Sequence, residues 1–171
     1  SNVPLHTTEN YNGQLTGQKG IHGFWESRLP ELFFNEYDFF IGKAEYIDNP
    51  QLRAWQAVTE SHMAVDSVLS FAKELTAKFP ESKKYSYETR GTSTVRVYSY
   101  EFSEAYHDML DGMVERRMRS AIKMVGDFWF TCWVNAGQPD LSTLLTKKEL
   151  EEEKLEVDEK IRVRNHESGS Q

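Results

Sequence analysis

Histidine and glutamate stand four residues apart in His22-Gly23-Phe24-Trp25-Glu26. On a helix that spacing puts both side chains on one face, close enough to share a metal ion. Phe24 and Trp25 then turn to the core and hold the helix still. His6 is separated from this pair by residues 7–20, where Gly13, Gly17 and Gly20 stand among Thr, Asn and Gln. Such a composition favours a loop over regular structure, and a flexible loop lets His6 fold back as a third ligand. Two histidines and one carboxylate form a common catalytic zinc set that leaves a position open for water or a substrate oxygen. Zinc suits these donors better than magnesium, which prefers an all-oxygen shell.

The same spacing recurs in His62-x-x-x-Asp66 and His107-x-x-x-Asp111. His62 lies on the apolar stripe of its segment, which favours a hydrogen-bonded core histidine over an acid–base pair with Asp66. His107, beside Tyr106 and Asp108, reads as a surface or interface residue, and His166 falls in a charged tail with no assigned role. The single cysteine, Cys132, lies in the apolar run Phe128-Trp129-Phe130-Thr131-Cys132-Trp133. It therefore reads as a buried free thiol, with no intrachain disulfide and no cysteine-based zinc cluster open to it.

Helical elements are expected to position these residues. Phe24, Trp25, Leu29, Leu32 and Phe33 recur at helical spacing over 21–34, with Pro30 kinking or dividing the segment. Asp48 or Asn49 before Pro50 signals a helix start, and apolar residues then repeat every three or four positions as far as Phe79, before Pro80. Between Tyr85 and Tyr100 the pattern changes to Thr, Val, Tyr and Ser around Gly91, which suits an extended segment or irregular hairpin. A second long helix runs from Ser103 to near Gly137-Gln138-Pro139. From Leu141 onward, spacings such as Glu156 to Lys160 and Asp158 to Arg162 fit ion pairs on a solvated helix and frayed tail, with a partner-binding helix as the alternative. The predicted fold class is all-α, a compact helical bundle with irregular connections over residues 1–140, followed by a charged C-terminal helix and tail over 141–171.

Composition bounds the functions available. The 171 residues carry a net charge of −7, which argues against a general electrostatic grip on nucleic acid while leaving room for a locally basic groove. Aromatic residues make up 13% of the chain, enough for a packed core. No apolar run approaches the roughly 20 residues of a membrane-spanning helix.

Val3-Pro4-Leu5-His6, then a Gly/Asn-rich loop, then Ile21-His22-Gly23-Phe24-Trp25-Glu26 resembles the second half of the zinc-binding core of bacterial zinc-dependent phospholipase C and the fungal and plant single-strand-specific nucleases. The resemblance covers residues 3–34 well, the later helices to Gly137 only as a general helical pattern, and the tail from Leu141 not at all. It implies an all-helical fold with three zinc ions, one of them held jointly by His6, His22 and Glu26. Glutamate rather than aspartate in the last place is nearer the phospholipase side. The family's other ligands, an N-terminal amino group, further histidines and aspartates, lie upstream of the Pro-Leu-His phrase and have no counterpart here.

The chain is therefore expected to be the C-terminal portion of a zinc-dependent phosphoesterase, truncated at the N-terminus, keeping one zinc site and inactive alone. The implied substrate is a phosphate ester, either single-stranded nucleic acid, stacked on Tyr11 or Phe24, or a phospholipid head group bordered by an apolar rim. The resemblance also implies a periplasmic or secreted protein. The alternative is a non-catalytic helical module with vestigial metal residues, binding another protein through its acidic C-terminal helix or its aromatic surfaces.

Overall fold

A computed structural model of the chain describes residues 1–142. The helix expected over 141–171 and His166 lie outside the described residues, apart from Leu141 and Ser142.

The first element is a 3-10 turn over Pro4–Thr7, with Pro4 at its start, where a missing N–H costs nothing. After the glycine-rich loop comes a helical segment in three pieces: α1 (Ile21–Gly23), a π-helical turn (Phe24–Arg28) and α2 (Leu29–Phe33). Pro30 explains the middle piece, because it offers no N–H to the Glu26 carbonyl and its ring crowds that carbonyl. The helix widens instead, and the Leu29 N–H bonds back to the Phe24 carbonyl. The expected kink at Pro30 is thus met by one turn of wider helix just upstream.

Two long helices of the sequence reading are each broken. The first divides into α3 (Pro50–Met63) and α4 (Val65–Lys78) at Ala64, whose N–H closes a tight turn onto the Ser61 carbonyl at 3.2 Å. The break separates the two apolar stripes. Val65, Val68 and Ala72 of α4 are buried, whereas Leu52 and Trp55 of α3 are more than half exposed. The second divides into α5 (Tyr100–Met109) and α6 (Met113–Asn135), with Asp111 and Gly112 at φ +47° and +69° between them. Two successive left-handed residues cannot continue a right-handed helix. Asn49 and Ser99 cap α3 and α5, accepting the N–H groups of Leu52 and Phe102.

The all-α expectation is overturned by a β-hairpin. Strands β1 (Tyr85–Arg90) and β2 (Ser93–Tyr98) pair antiparallel with Tyr85 opposite Tyr98 and Arg90 opposite Ser93. The fold is therefore mixed α and β. The residues explain it: Tyr, Thr and Val suit a pleated surface, and Gly91 at φ +60° takes the first place of a two-residue turn that needs a left-handed residue. Arg28 fastens the hairpin to the π turn. Its guanidinium donates to both Glu88 oxygens, at 3.1 and 2.5 Å, and to the Tyr98 carbonyl.

The core gathers around the α1–α2 segment. Phe24, Leu29 and Phe33 pack with Leu5, Val68, Phe102 and Tyr106, and the Phe24 ring stacks between Tyr98 and Tyr106 at 4.0 and 5.0 Å. The buried Tyr106 hydroxyl donates to the Val68 carbonyl at 2.7 Å. An extended stretch before α3 lies along α6, where Asp127 accepts the Glu45 N–H and Thr131 the Ile47 N–H. Those polar contacts occupy one face of α6 and leave Cys132 exposed, which corrects its reading as a buried thiol.

Candidate metal centre

Three local structures aim three side chains at one point. Leu5 is fully buried and Pro4 also faces inward, so the 3-10 turn they anchor leaves His6 on the outside. In the π turn, Phe24, Trp25 and Arg28 are buried while Glu26 is exposed. His22, one turn earlier, shares Glu26's side of the helix.

The loop between them is internally braced. Asn10, 7% exposed, accepts the Leu15 N–H at 2.8 Å and donates to Thr16 Oγ1 at 3.0 Å. Asn12 accepts the Gly20 N–H at 3.0 Å. Gly13, at φ +71°, lies so close to Gln18 that a Cβ would sit 2.4 Å from the Gln18 carbonyl oxygen. Here glycine meets a close backbone approach as well as a left-handed conformation. The flexible loop of the sequence reading is in fact a fixed brace that sets the distance between His6 and His22.

The resulting geometry is tight. His6 Nε2 lies 3.0 Å from His22 Nε2, His22 Nε2 lies 2.5 Å from Glu26 Oε2, and His6 Nε2 lies 3.4 Å from the same oxygen. Tetrahedral zinc with bonds of about 2.0–2.1 Å spaces its ligands about 3.3–3.4 Å apart. The His6–Glu26 separation matches that spacing and the His6–His22 separation lies a little inside it, whereas His22 and Glu26 stand at hydrogen-bond distance, well inside it, and would have to part for both to bind one ion. The donors also fit chemically. A single N–H on His22 Nε2 can point at only one of its two neighbours, so a shared cation answers the cluster more fully than a proton. In the tautomer whose Nδ1–H donates to Ser1 Oγ, 3.0 Å away, His6 turns a lone pair to the centre. The His6 and Glu26 side chains are 39% and 40% exposed, so the centre opens to solvent on one side.

Comparison with family models, curated proteins and solved structures returns no match.

The other singled-out residues take different places. His62 is exposed rather than in the core, and its Nδ1 lies 3.1 Å from the Thr7 carbonyl oxygen and 3.3 Å from Thr7 Oγ1. Beside it, the buried Ser61 hydroxyl lies 2.8 Å from the Ser1 carbonyl oxygen and 2.8 Å from the Ala57 carbonyl oxygen of its own helix, able to donate to either. The end of α3 thus clamps both sides of the turn that carries His6. No spacing in the sequence announces that role, because the partners are about sixty residues away. His107 is half-buried, its Nε2 2.9 Å from the Tyr37 hydroxyl and its ring 4.4 Å from Phe33. Burial, with the nearby Glu36 and Glu115 charges, pushes the Tyr37 hydroxyl well above its ordinary range.

Of the two aromatics expected to stack a base, Phe24 is buried and cannot. Tyr11 is 52% exposed and stands edge-on to His22 at 6.0 Å. Among the described residues no helix is long and apolar enough to cross a membrane.

Proposed function

We propose that His6, His22 and Glu26 hold one zinc ion of a hydrolase acting on phosphate esters. The observation that carries the proposal is the convergence of two imidazole nitrogens and a carboxylate oxygen from separate elements, all within 3.4 Å of one another, so that small side-chain rotations would open them around one ion. Zinc bound there supplies Lewis-acid activation of water and neutralises charge on a phosphoryl oxygen. The chain's own residues do the positioning. Leu5 and the Thr7–His62 contact fix His6, the Gly13 approach fixes the loop, and the π turn presents Glu26. Tyr11 offers an exposed ring beside His22 against which a base or the body of a substrate can lie. The resemblance to the phospholipase C and nuclease family is the reason to propose a periplasmic or secreted setting.

Cobalt(II) substitution tests it, because the visible spectrum of that ion reports its coordination. The chain loaded with cobalt is expected to change spectrum when a dinucleoside or dialkyl phosphodiester is added, and His22→Ala is expected to abolish the cobalt spectrum itself. A cobalt spectrum that no phosphodiester alters counts against the phosphoesterase assignment.

A second reading, a non-catalytic module that binds another protein, is favoured by one observation. Trp55 on α3 and Trp129 on α6 are 62% and 74% exposed, large apolar groups of the kind that anchor interfaces. A folded chain that takes up no zinc would favour it.

A further inference from the structure

A cleft of about 190 Å³ lies between the glycine-rich loop, α4 and the start of β1, and none of the three candidate zinc ligands lines it. Its chemistry is unusual for a chain of net charge −7. Lys19, Lys73 and Lys84 line it together with the hydroxyl-bearing Thr16 and Thr76, and no carboxylate does.

Lys84 is the informative member. It is only 9% exposed, and its ammonium sits against the rings of Phe102, Tyr85 and Tyr98, 5.3, 5.5 and 6.0 Å from their centroids. Its one side-chain acceptor among the described residues is Thr76 Oγ1 at 3.2 Å. An ammonium has three N–H donors, and a buried charge ordinarily has an opposite charge beside it. Aromatic faces attract the cation but accept no full hydrogen bond. The lysines that form ion pairs among the described residues are Lys78 and Lys123, both elsewhere. Lys84 is therefore a largely buried lysine lining the cleft, hydrogen-bonded to Thr76 and without a carboxylate partner among the described residues.

The walls are fixed before any ligand arrives. Gln18 donates to the Leu69 carbonyl at 2.8 Å and holds the loop on α4. The Ser99 hydroxyl donates to the Lys83 carbonyl at 2.6 Å, and the Ser99 N–H to the Lys84 carbonyl at 3.0 Å, which holds Lys84 at the base of the hairpin. Three lysines and two threonines along one cleft, with no carboxylate among its lining residues, suit a tetrahedral anion better than a planar carboxylate, which favours the arginine fork. At about 30 Å³ per water molecule the cleft holds several waters, enough room for one phosphate group.

We infer that this cleft binds the phosphate group of a small molecule, either free phosphate or a phosphate monoester, with Lys84 as its buried counter-charge. The site is separate from the metal centre and stands or falls without it.

The test uses the full chain stripped of metal by chelation, so that phosphate cannot report on the His6–His22–Glu26 cluster. Inorganic phosphate and glycerol phosphate are titrated separately while amide chemical shifts are followed. Saturable shifts for either ligand, at residues 16–19, 73–76 and 84–85, are expected, and the tighter of the two identifies the source. Lys84→Met is expected to weaken binding about tenfold or more. Should that variant not fold, Lys73→Met and Lys19→Met carry the test, since both side chains are exposed; each is expected to weaken binding about threefold. Absence of saturable shifts in the cleft with both ligands overturns the inference. So does unchanged affinity in the exposed-lysine variants.

Discussion

His6 Nε2 and His22 Nε2 meet at 3.0 Å across sixteen residues of chain. Two imidazole nitrogens at that distance must share a proton or a cation, because two facing lone pairs repel. The meeting depends on structure that is not itself chemical: a buried leucine, a glycine pressed against a carbonyl, and a clamp from α3. Each of these can be removed separately.

Leu5→Ala leaves the donors intact but empties the anchor beneath His6. Leu5 is fully buried, and such truncations cost about 2–5 kcal/mol. Chemical denaturation is expected to show that loss, with zinc affinity falling in the same variant. Full stability would mean that the turn is not seated on the core.

Gly13→Ala brings a Cβ to 2.4 Å from the Gln18 carbonyl oxygen at φ +71°. Left-handed strain of this kind costs about 1–3 kcal/mol, before any clash is relieved. Because the loop spaces the two histidines, zinc affinity is expected to fall with stability. Wild-type affinity in a destabilised variant would show that the loop does not set the spacing.

His62→Gln separates a clamp from an acid–base group. The variant is expected to melt a few degrees lower at most, as the loss of an exposed hydrogen bond predicts, and to bind zinc in the same stoichiometry as the wild type. Loss of zinc without loss of stability would make His62 a ligand.

Acid should loosen the hairpin first. Arg28 holds the Glu88 carboxyl below the usual glutamate range, and Arg90 does the same for Glu31. A carboxyl depressed in the folded state adds stability that is complete above its unfolded value and disappears as pH falls through its folded one. Between about pH 6 and about pH 3 the amide shifts of Val95 and Val97 are expected to move before those of Leu110 and Val114. Simultaneous movement throughout the chain would contradict a local staple.

Which side chains could come together at the candidate metal centre was more legible in the sequence than which elements surround it. His22 and Glu26 share a helix face because four-residue spacing dictates it, and Phe24 and Trp25 are buried as their positions required. Helix breaks at Ala64 and at Asp111-Gly112 were not legible, because apolar spacing continues through both while the backbone turns. Tyr, Thr and Val around Gly91 did indicate an extended segment or hairpin, yet that short stretch carried too little weight to alter the all-α fold class. His62 and Cys132 were placed in the core from apolar neighbours. Both are exposed, since along α3 and the later turns of α6 the apolar stripe is not the face that packs, although Val114 at the start of α6 is in the core. Lys84 gave no signal at all, because its burial comes from Tyr98 and Phe102 farther along the chain.

Zinc titration of the purified chain, followed by calorimetry, tests the metal centre most directly. One zinc ion per chain is expected for the wild type, with His22→Ala and Glu26→Gln each losing it while remaining folded by circular dichroism. A well-folded wild-type chain that binds no zinc, or variants that bind it as tightly as the wild type, would contradict the assignment of His6, His22 and Glu26.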